Sequence, residues 1–170
     1  MLERKAQQYL ATQLVIALDE YVDDCYTTVH DPLYDDKDGY TRAMVPDPHF
    51  ALPEGDYSIL ETPLMYDVLR LPSKNRYAVE ALGFYGDPPD YSYLFNFRRE
   101  RFSELGLFAA SLVRRLCRTY SLPMPERELY YRHEEDFQEM LSVKGERTRL
   151  QERRREEYEF KKARANDVAT

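Results

Sequence analysis

The chain has 170 residues, of which 43% are hydrophobic and 32% are charged, and its net charge is −7. This length fits one domain or one compact body with a long arm, and the composition excludes disorder throughout. Ten prolines exclude a continuous coiled coil. Two cysteines, Cys25 and Cys117, are too few for a disulfide scaffold. They could form at most one bridge, and two buried thiols are the more common case.

Charge is distributed unevenly along the chain. Residues 1–97 carry 17 acidic and 7 basic side chains, whereas residues 98–170 carry 14 acidic and 17 basic ones. Opposite potentials at the two ends favour docking between partners of different sign, and the acidic total disfavours binding to nucleic acid. We expect no transmembrane span, because the longest apolar stretches fall far short of ~20 residues, and no secretory signal.

Residues 1–30 are predicted to form one long amphipathic helix. Apolar side chains recur there at steps of three and four residues, and the segment contains neither Gly nor Pro. The helix must stop before Asp31-Pro32, since the residue before proline avoids the helical region.

Residues 31–61 are predicted to be an extended acidic segment. Pro32, Pro46, Pro48 and Pro53 interrupt it, and no hydrophobic period is sustained. A structureless segment of this length is uncommon inside a compact domain. We therefore expect it to lie along a partner, outside the core.

Two short helices are predicted next. Thr62 can cap a helix whose first residue is Pro63 and which ends at Pro72. Ser73 can cap the following helix, and Gly83 or Gly86 is expected near its end.

Two longer helices complete a predicted helical body over residues 62–145. After a linker at residues 87–90, residues 91–120 carry the widest apolar stripe in the chain. A last helix is expected from Pro125 onward, with His133 on its apolar side as a core or partner-facing histidine.

Residues 146–170 are predicted to be a charged helical arm. Opposite charges recur there at helical spacing, as in Glu157 with Lys161. Each such pair contributes only ~0.2–0.5 kcal/mol, so the arm needs a partner to be fixed. The expected fold class is therefore all-α, with a long N-terminal helix, an irregular Pro- and Tyr-rich acidic segment, a helical body and a charged C-terminal arm.

No motif for catalysis or metal binding is complete. An EF-hand register with Gly39 at its sixth position would place Tyr34 and Val45 where carboxylates are required. His133 lacks the second histidine of a zinc helix four residues later. Cys25, on the apolar face of the first helix, is interpreted as a buried thiol rather than a nucleophile. We expect no enzymatic activity, no cofactor and no tightly bound metal.

Arginines near both ends of the 91–120 helix are the strongest polar signal. They are Arg98, Arg99, Arg101, Arg114, Arg115 and Arg118. Bases suit the C-terminal end of a helix dipole, but the first three precede the main apolar stripe at the unfavourable end. That position suggests an external anion, so we predict that the six side chains dock on partner carboxylates or anionic lipid headgroups. A solvated helix face is the alternative.

Short motifs from residue 62 onward resemble a known family. They are Thr62-Pro63-Leu64-Met65, Val68-Leu69-Arg70-Leu71-Pro72 and Tyr77. These residues are similar to the signature "N-P-x-M…A-L-R-R-L-P…Y" of the subunit-7 family of ubiquinol–cytochrome c reductase, the mitochondrial cytochrome bc1 complex.

A second run of the same family, "L-P…E…Y-E-E…Y-L", is similar to residues that follow the basic helix. They are Leu122-Pro123, Glu126, Tyr130 or Tyr131, Glu134-Glu135-Asp136-Phe137 and Met140-Leu141. The likeness covers residues 62–77 and 95–164, including the charged arm, while the tryptophan usual after the leucine–proline turn is absent.

The resemblance implies a cofactor-free, all-helical accessory subunit of respiratory-chain Complex III. Such a subunit lies peripherally on the matrix side of the mitochondrial inner membrane, against cytochrome b and a core subunit. It supports assembly and stability for electron transport from ubiquinol to cytochrome c without carrying electrons itself.

Two other classes of function remain open from the sequence. One is a peripheral scaffold subunit of another large mitochondrial assembly, such as another respiratory complex, ATP synthase or the ribosome. The other is a free acidic inhibitor or immunity protein that uses the acids of residues 31–61 as a decoy surface.

Overall fold

Helices account for most of the fold, which confirms the all-α class. The computed structural model describes residues 2–83, 92–128 and 131–143. Its elements are α1 (Leu2–Val29), strands β1 (Tyr34–Asp35) and β2 (Thr41–Arg42), a short 3-10 helix (Tyr57–Ile59), α2 (Thr62–Leu82), α3 (Ser92–Tyr120) and α4 over residues 133–143. The two strands pair antiparallel, with Tyr34 opposite Arg42.

Helix α3 lies at the centre of the fold. It forms the most extensive helix pair with α1 and also packs against α2. Phe102, Leu112 and Leu116 of α3 are fully buried, as are Leu14 and Leu18 of α1. Each such side chain contributes ~1.5–3 kcal/mol of hydrophobic free energy, so the three long helices share one core.

The two longest helices were predicted correctly from the sequence. The expected helices over residues 1–30 and 91–120 are found as Leu2–Val29 and Ser92–Tyr120. Both carry a sustained apolar stripe, and α1 ends before Asp31-Pro32 as the proline requires.

The predicted break at Pro72 was wrong, because α2 is continuous from Thr62 to Leu82 with Pro72 inside it. A proline there removes one backbone hydrogen bond and costs ~3 kcal/mol or more. Packing on both sides of the proline outweighs this cost, since Leu71 and Asn75 are buried. The Tyr21 hydroxyl of α1 also donates a 2.7 Å hydrogen bond to Asn75 Oδ1.

The starts of two helices were also predicted wrongly. Thr62 is the first residue of α2, and the capping position belongs to Glu61, whose side chain makes no capping bond. The last helix begins at residue 133 rather than at Pro125. Residues 122–128 are irregular instead, because Arg127 forms ion pairs with α1 that hold this stretch against it.

Residues 31–61 pack on the body of the protein, so their predicted position outside the core was wrong. Phe50 and Leu60 belong to the hydrophobic core. The ring of Phe50 meets the edge of Tyr21 with centroids 5.3 Å apart. Gln7 Nε2 of α1 also donates a 2.8 Å hydrogen bond to the carbonyl of Ile59. A few apolar anchors are therefore enough to attach a segment without hydrophobic periodicity.

Two sequence predictions concern residues outside the described part of the chain. These are the linker at residues 87–90 and the charged arm at residues 146–170.

The ring of Phe137 in α4 lies directly against α3 at Gly106. A Cβ placed on Gly106 would lie 2.4 Å from Cε2 of Phe137. Phe137 is fully buried and cannot move aside without opening the core. Glycine at position 106 therefore allows the ring of α4 to lie directly on the backbone of α3.

Replacing Gly106 by Ala should lower the free energy of unfolding by about 1–3 kcal/mol, although Ala is the better helix former. Urea unfolding measures this change. Gly83→Ala is the matched control, because nothing lies within 4 Å of a Cβ at that position. Equal stability of the two variants would contradict the close contact.

Candidate functional site

A buried carboxylate stands where α1 passes into the acidic segment. Asp31 is 1% exposed. Its Oδ1 accepts hydrogen bonds from the backbone N–H groups of Leu33 at 3.0 Å and Met44 at 3.1 Å. Its Oδ2 accepts from the N–H of Val45 at 3.1 Å and from Arg98 Nη1 at 2.9 Å. One carboxylate therefore closes the loop of residues 31–45 and attaches it to α3.

The hydrogen-bond donors of the Arg98 guanidinium also find acceptors at this site. Its Nε donates to Asp47 Oδ1 at 2.6 Å and its Nη2 to the carbonyl of Val45 at 2.6 Å. Arg99 adds a 3.3 Å hydrogen bond from Nη2 to the backbone carbonyl of Asp31. The guanidinium of Arg98 thus has acceptors on three residues, which is the condition for burying a charge at low cost.

The pKa of Asp31 lies below its usual value. Burial would raise it, but hydrogen bonds from the N–H of Leu33, the N–H of Val45, the guanidinium of Arg98 and the N–H of Met44 together lower it. Each of these donors favours the charged carboxylate. Asp31 is therefore ionised at neutral pH, as its partner arginine requires.

The first three predicted docking arginines have contacts within the chain. Arg98 is buried, so its anion is Asp31, and the expectation of an external anion for this residue is corrected. Arg99 is half-buried beside it. Arg101 pairs with Glu104 at 2.9 Å, and its guanidinium lies 4.9 Å from the ring centroid of Phe97.

The last three arginines lie towards the C-terminal end of α3. Arg114 pairs with Glu134 of α4, and Arg115 Nη1 lies 2.5 Å from Asp67 Oδ2 of α2. Arg118 is exposed in the last turn. The docking role stays a prediction for the exposed members, and the six side chains do not form one surface cluster.

A second polar cluster joins α1 to α4. The ring of Tyr26 lies between the rings of His30 and His133, with a centroid distance of 4.2 Å to each. His133 Nε2 lies 2.7 Å from Asp23 Oδ1, and His30 Nε2 lies 3.6 Å from Asp136 Oδ2. His133 is buried, in agreement with its predicted place on the apolar side of the last helix.

The imidazole of His133 is not hydrogen-bonded to a hydroxyl nucleophile among the described residues. Burial and the nearby Arg127 lower the pKa of His133 more than Asp23 raises it, so the imidazole is neutral at pH 7. A cleft of about 360 Å³ opens beside it. The hydroxyl of Thr27, which lines the cleft, donates to the carbonyl of Asp23 at 2.9 Å rather than to the imidazole. A nucleophile and its base are therefore not paired there.

The pair of Cys25 and His30 is not brought together either. Cys25 is fully buried, whereas His30 is exposed at the end of α1. Burial raises the pKa of the Cys25 thiol, which suppresses the reactive thiolate. Cys117 is likewise free and buried, so both cysteines are buried thiols.

The outer face of α2 carries exposed aromatic and basic side chains. Tyr66, Leu69 and Tyr77 are 57%, 41% and 61% exposed. The guanidinium of Arg70 lies 5.0 Å from the ring centroid of Tyr66, and that of Arg76 lies 5.3 Å from Tyr77. We call these five residues the α2 face. They lie on the side of the helix opposite its buried residues.

Sequence reasoning missed the α2 face, although its signal was present. Tyr66, Arg70 and Tyr77 follow one another at steps of four and seven residues, which places them on one side of a continuous helix. The predicted break at Pro72 separated them into two helices and hid the pattern.

Within residues 2–83, 92–128 and 131–143, no group of three or more His, Cys, Asp or Glu side chains is placed to hold a metal ion. No helix in those ranges is both long enough and apolar enough to cross a membrane.

Comparison with known proteins gives no relative: no family model, no curated protein and no solved structure matches the chain.

Replacing Asp31 by Asn should lower the free energy of unfolding by about 3–5 kcal/mol at pH 6, because Arg98 then stays buried with only the more exposed Asp47 as counterion and the loop N–H groups lose their charged acceptor. The contribution of Asp31 is present above its unfolded pKa of ~3.9 and is lost as the pH falls through the lower folded value. The gap in stability between wild type and variant should therefore narrow between pH 6 and pH 3.

Urea unfolding at both pH values measures the gap. Asp38→Asn in the exposed turn is the control and should leave stability nearly unchanged at both. A gap that stays constant down to pH 3 would contradict the role of the ionised carboxylate.

Proposed function

We propose that the chain is a non-catalytic accessory subunit that binds other proteins of a large assembly through the α2 face. The observation that carries the proposal is the exposure of Tyr66, Leu69 and Tyr77 on one side of α2. An apolar patch kept exposed on a folded domain is typical of an interaction site.

The composition of the α2 face also fits a protein interface. Tyrosine and arginine are enriched among the residues that carry most of the binding energy in such interfaces. The two arginines lie close to the two tyrosine rings and so reduce the freedom that each side chain would lose on binding. Arg76 Nε lies 3.7 Å from Glu80 Oε1, so Arg70 supplies most of the positive charge of the α2 face, which suits a partner with an acidic group.

Complex III is the assembly that the family resemblance puts forward. The residues of its first motif, from Thr62 to Tyr77, all lie in α2, and Leu69, Arg70 and Tyr77 belong to the α2 face. In this proposal the protein is peripheral on the matrix side of the mitochondrial inner membrane, beside cytochrome b and a core subunit. A scaffold role in another mitochondrial assembly would use the same face.

The free acidic inhibitor receives less support, because several acids of residues 31–61 are engaged within the chain. Asp31 and Asp47 bind Arg98. Asp36 accepts a 2.8 Å hydrogen bond from Arg42 Nε. Asp56 accepts a 3.0 Å hydrogen bond from the N–H of Ser58. Asp31 is buried and unavailable to a decoy surface, whereas Asp47 and Asp56 are exposed but already hold contacts within the chain.

Replacing Tyr66 and Tyr77 by Ser should reduce the recovery of partner proteins at least about tenfold, since buried tyrosines at an interface are worth ~2 kcal/mol or more each. The measurement is affinity purification of the tagged chain in mild detergent from its source cells, with partners quantified by mass spectrometry. Both tyrosines are exposed, so thermal stability should not change.

The matched control replaces Tyr34 and Tyr40, two exposed tyrosines of the β1–β2 hairpin, by Ser. It should recover partners as the wild type does. Recovery of Complex III subunits supports the finer assignment, and recovery of another assembly supports the alternative. A wild-type chain that purifies without stoichiometric partners would contradict the proposal.

A further inference from the structure

The outer face of α1 exposes two large apolar side chains and, further along the helix, a group of acids. Tyr9 and Ile16 are 68% and 56% exposed. The next turns carry Glu20, Asp23 and Asp24, all exposed. Positions 9, 16, 20 and 23 fall on one side of the helix, so the apolar and acidic residues form a continuous stripe.

A groove runs beside this stripe. Residues 122–125 lie against α1 and form one wall, and the groove between them has a volume of about 380 Å³. Its apolar lining includes Val15 and Ile16 of α1 and Leu122, Met124 and Pro125 of the wall. Met124 is 52% exposed, so apolar side chains from both walls face solvent. We call this the α1 groove.

Acids of α1 repel one another at the end of the α1 groove, which Glu20 lines, and one turn beyond the groove, at Asp24. Burial, Asp23 and Glu20 together raise the pKa of Asp24. Glu20 and Asp24 are four residues apart on α1, and like charges at this spacing destabilise a helix. Asp23 and Asp19 are already paired with Arg127. A further cation from outside would relieve the remaining repulsion.

From these observations we infer that the α1 groove binds a basic amphipathic helix of a partner protein. Apolar side chains of that helix fill the space between Ile16 and Met124, and its Lys or Arg side chains reach Glu20 and Asp24. This mode is that of a helix laid in a groove, with anchors at positions i, i+3 or i+4, and i+7. An anionic membrane surface is disfavoured as the occupant, because the same carboxylates would repel it.

The inference deepens the proposed function, since it names a second docking surface and the kind of partner it takes. The two surfaces differ in charge: the α2 face carries two arginines, one of them paired with Glu80, whereas the α1 groove is lined by Asp19 and Glu20. A subunit held between two different neighbours would use both.

The test is selection from a displayed library of 18-residue helical peptides, with apolar and charged positions randomised, against the full-length chain at physiological salt. Enriched peptides should combine an apolar stripe with an excess of Lys and Arg over Asp and Glu. Nuclear magnetic resonance shifts on the wild-type chain should place them at Ile16 and Met124.

Two double variants then test the apolar part and the acidic part of the groove separately. Ile16→Glu with Met124→Glu should weaken the selected peptides at least about tenfold. Glu20→Gln with Asp24→Gln should weaken them about three- to tenfold and remove most of their salt dependence. All four positions are exposed, so circular dichroism and thermal melting should match the wild type. Tyr66→Ser with Tyr77→Ser is the control and should bind the peptides normally.

Three results of the peptide experiment would overturn the inference, and one result on oligomeric state would do so as well. They are the absence of enriched peptides, selection without a preference for basic residues, and binding that the groove substitutions leave unchanged. A wild-type dimer that Ile16→Glu with Met124→Glu turns into a monomer would assign the groove to a second copy and also overturn it. None of these results affects partner recovery through the α2 face, so the proposed function can survive them.

Discussion

The fold depends on the buried ion pair between Asp31 and Arg98. It joins three parts of the chain: the end of α1, the irregular segment up to Asp47, and the start of α3. Removing one partner from such a pair leaves an uncompensated charge in the core, which costs several kcal/mol. The loop therefore cannot separate from α3 without breaking this ion pair. Because the first half of the segment, up to Asp47, is fixed in this way, Phe50 packs against Tyr21 and completes the hydrophobic core.

This arrangement also decides which charges face outward. The cluster buries Arg98 with Asp31 and pairs Arg98 with the more exposed Asp47, and Arg127 neutralises part of the acidic side of α1. What remains outside is an acidic and apolar α1 groove and a basic and aromatic α2 face. Both are carried by long helices packed on α3, so the core that stabilises the fold also positions the two surfaces.

Elements marked by a local pattern of residues were predicted from the sequence. Features that depend on contacts between residues far apart in the chain were not. The apolar stripes of α1 and α3 were enough to place both helices. The continuity of α2 was not visible, because it depends on burying Leu71 and Asn75 against other helices. The role of Arg98 was not visible either, since Asp31 lies 67 residues away. The α2 face could have been found from the spacing of Tyr66, Arg70 and Tyr77.

Amide hydrogen exchange in the wild type and in an Arg98→Met variant tests the central claim most directly. The account predicts that the N–H groups of Leu33, Met44 and Val45, which bind Asp31, are protected in the wild type and exchange much faster in the variant. Amides in the middle of α3 should stay protected in both. If the three loop amides exchange equally fast with and without Arg98, the ion pair does not hold the segment and the account is wrong.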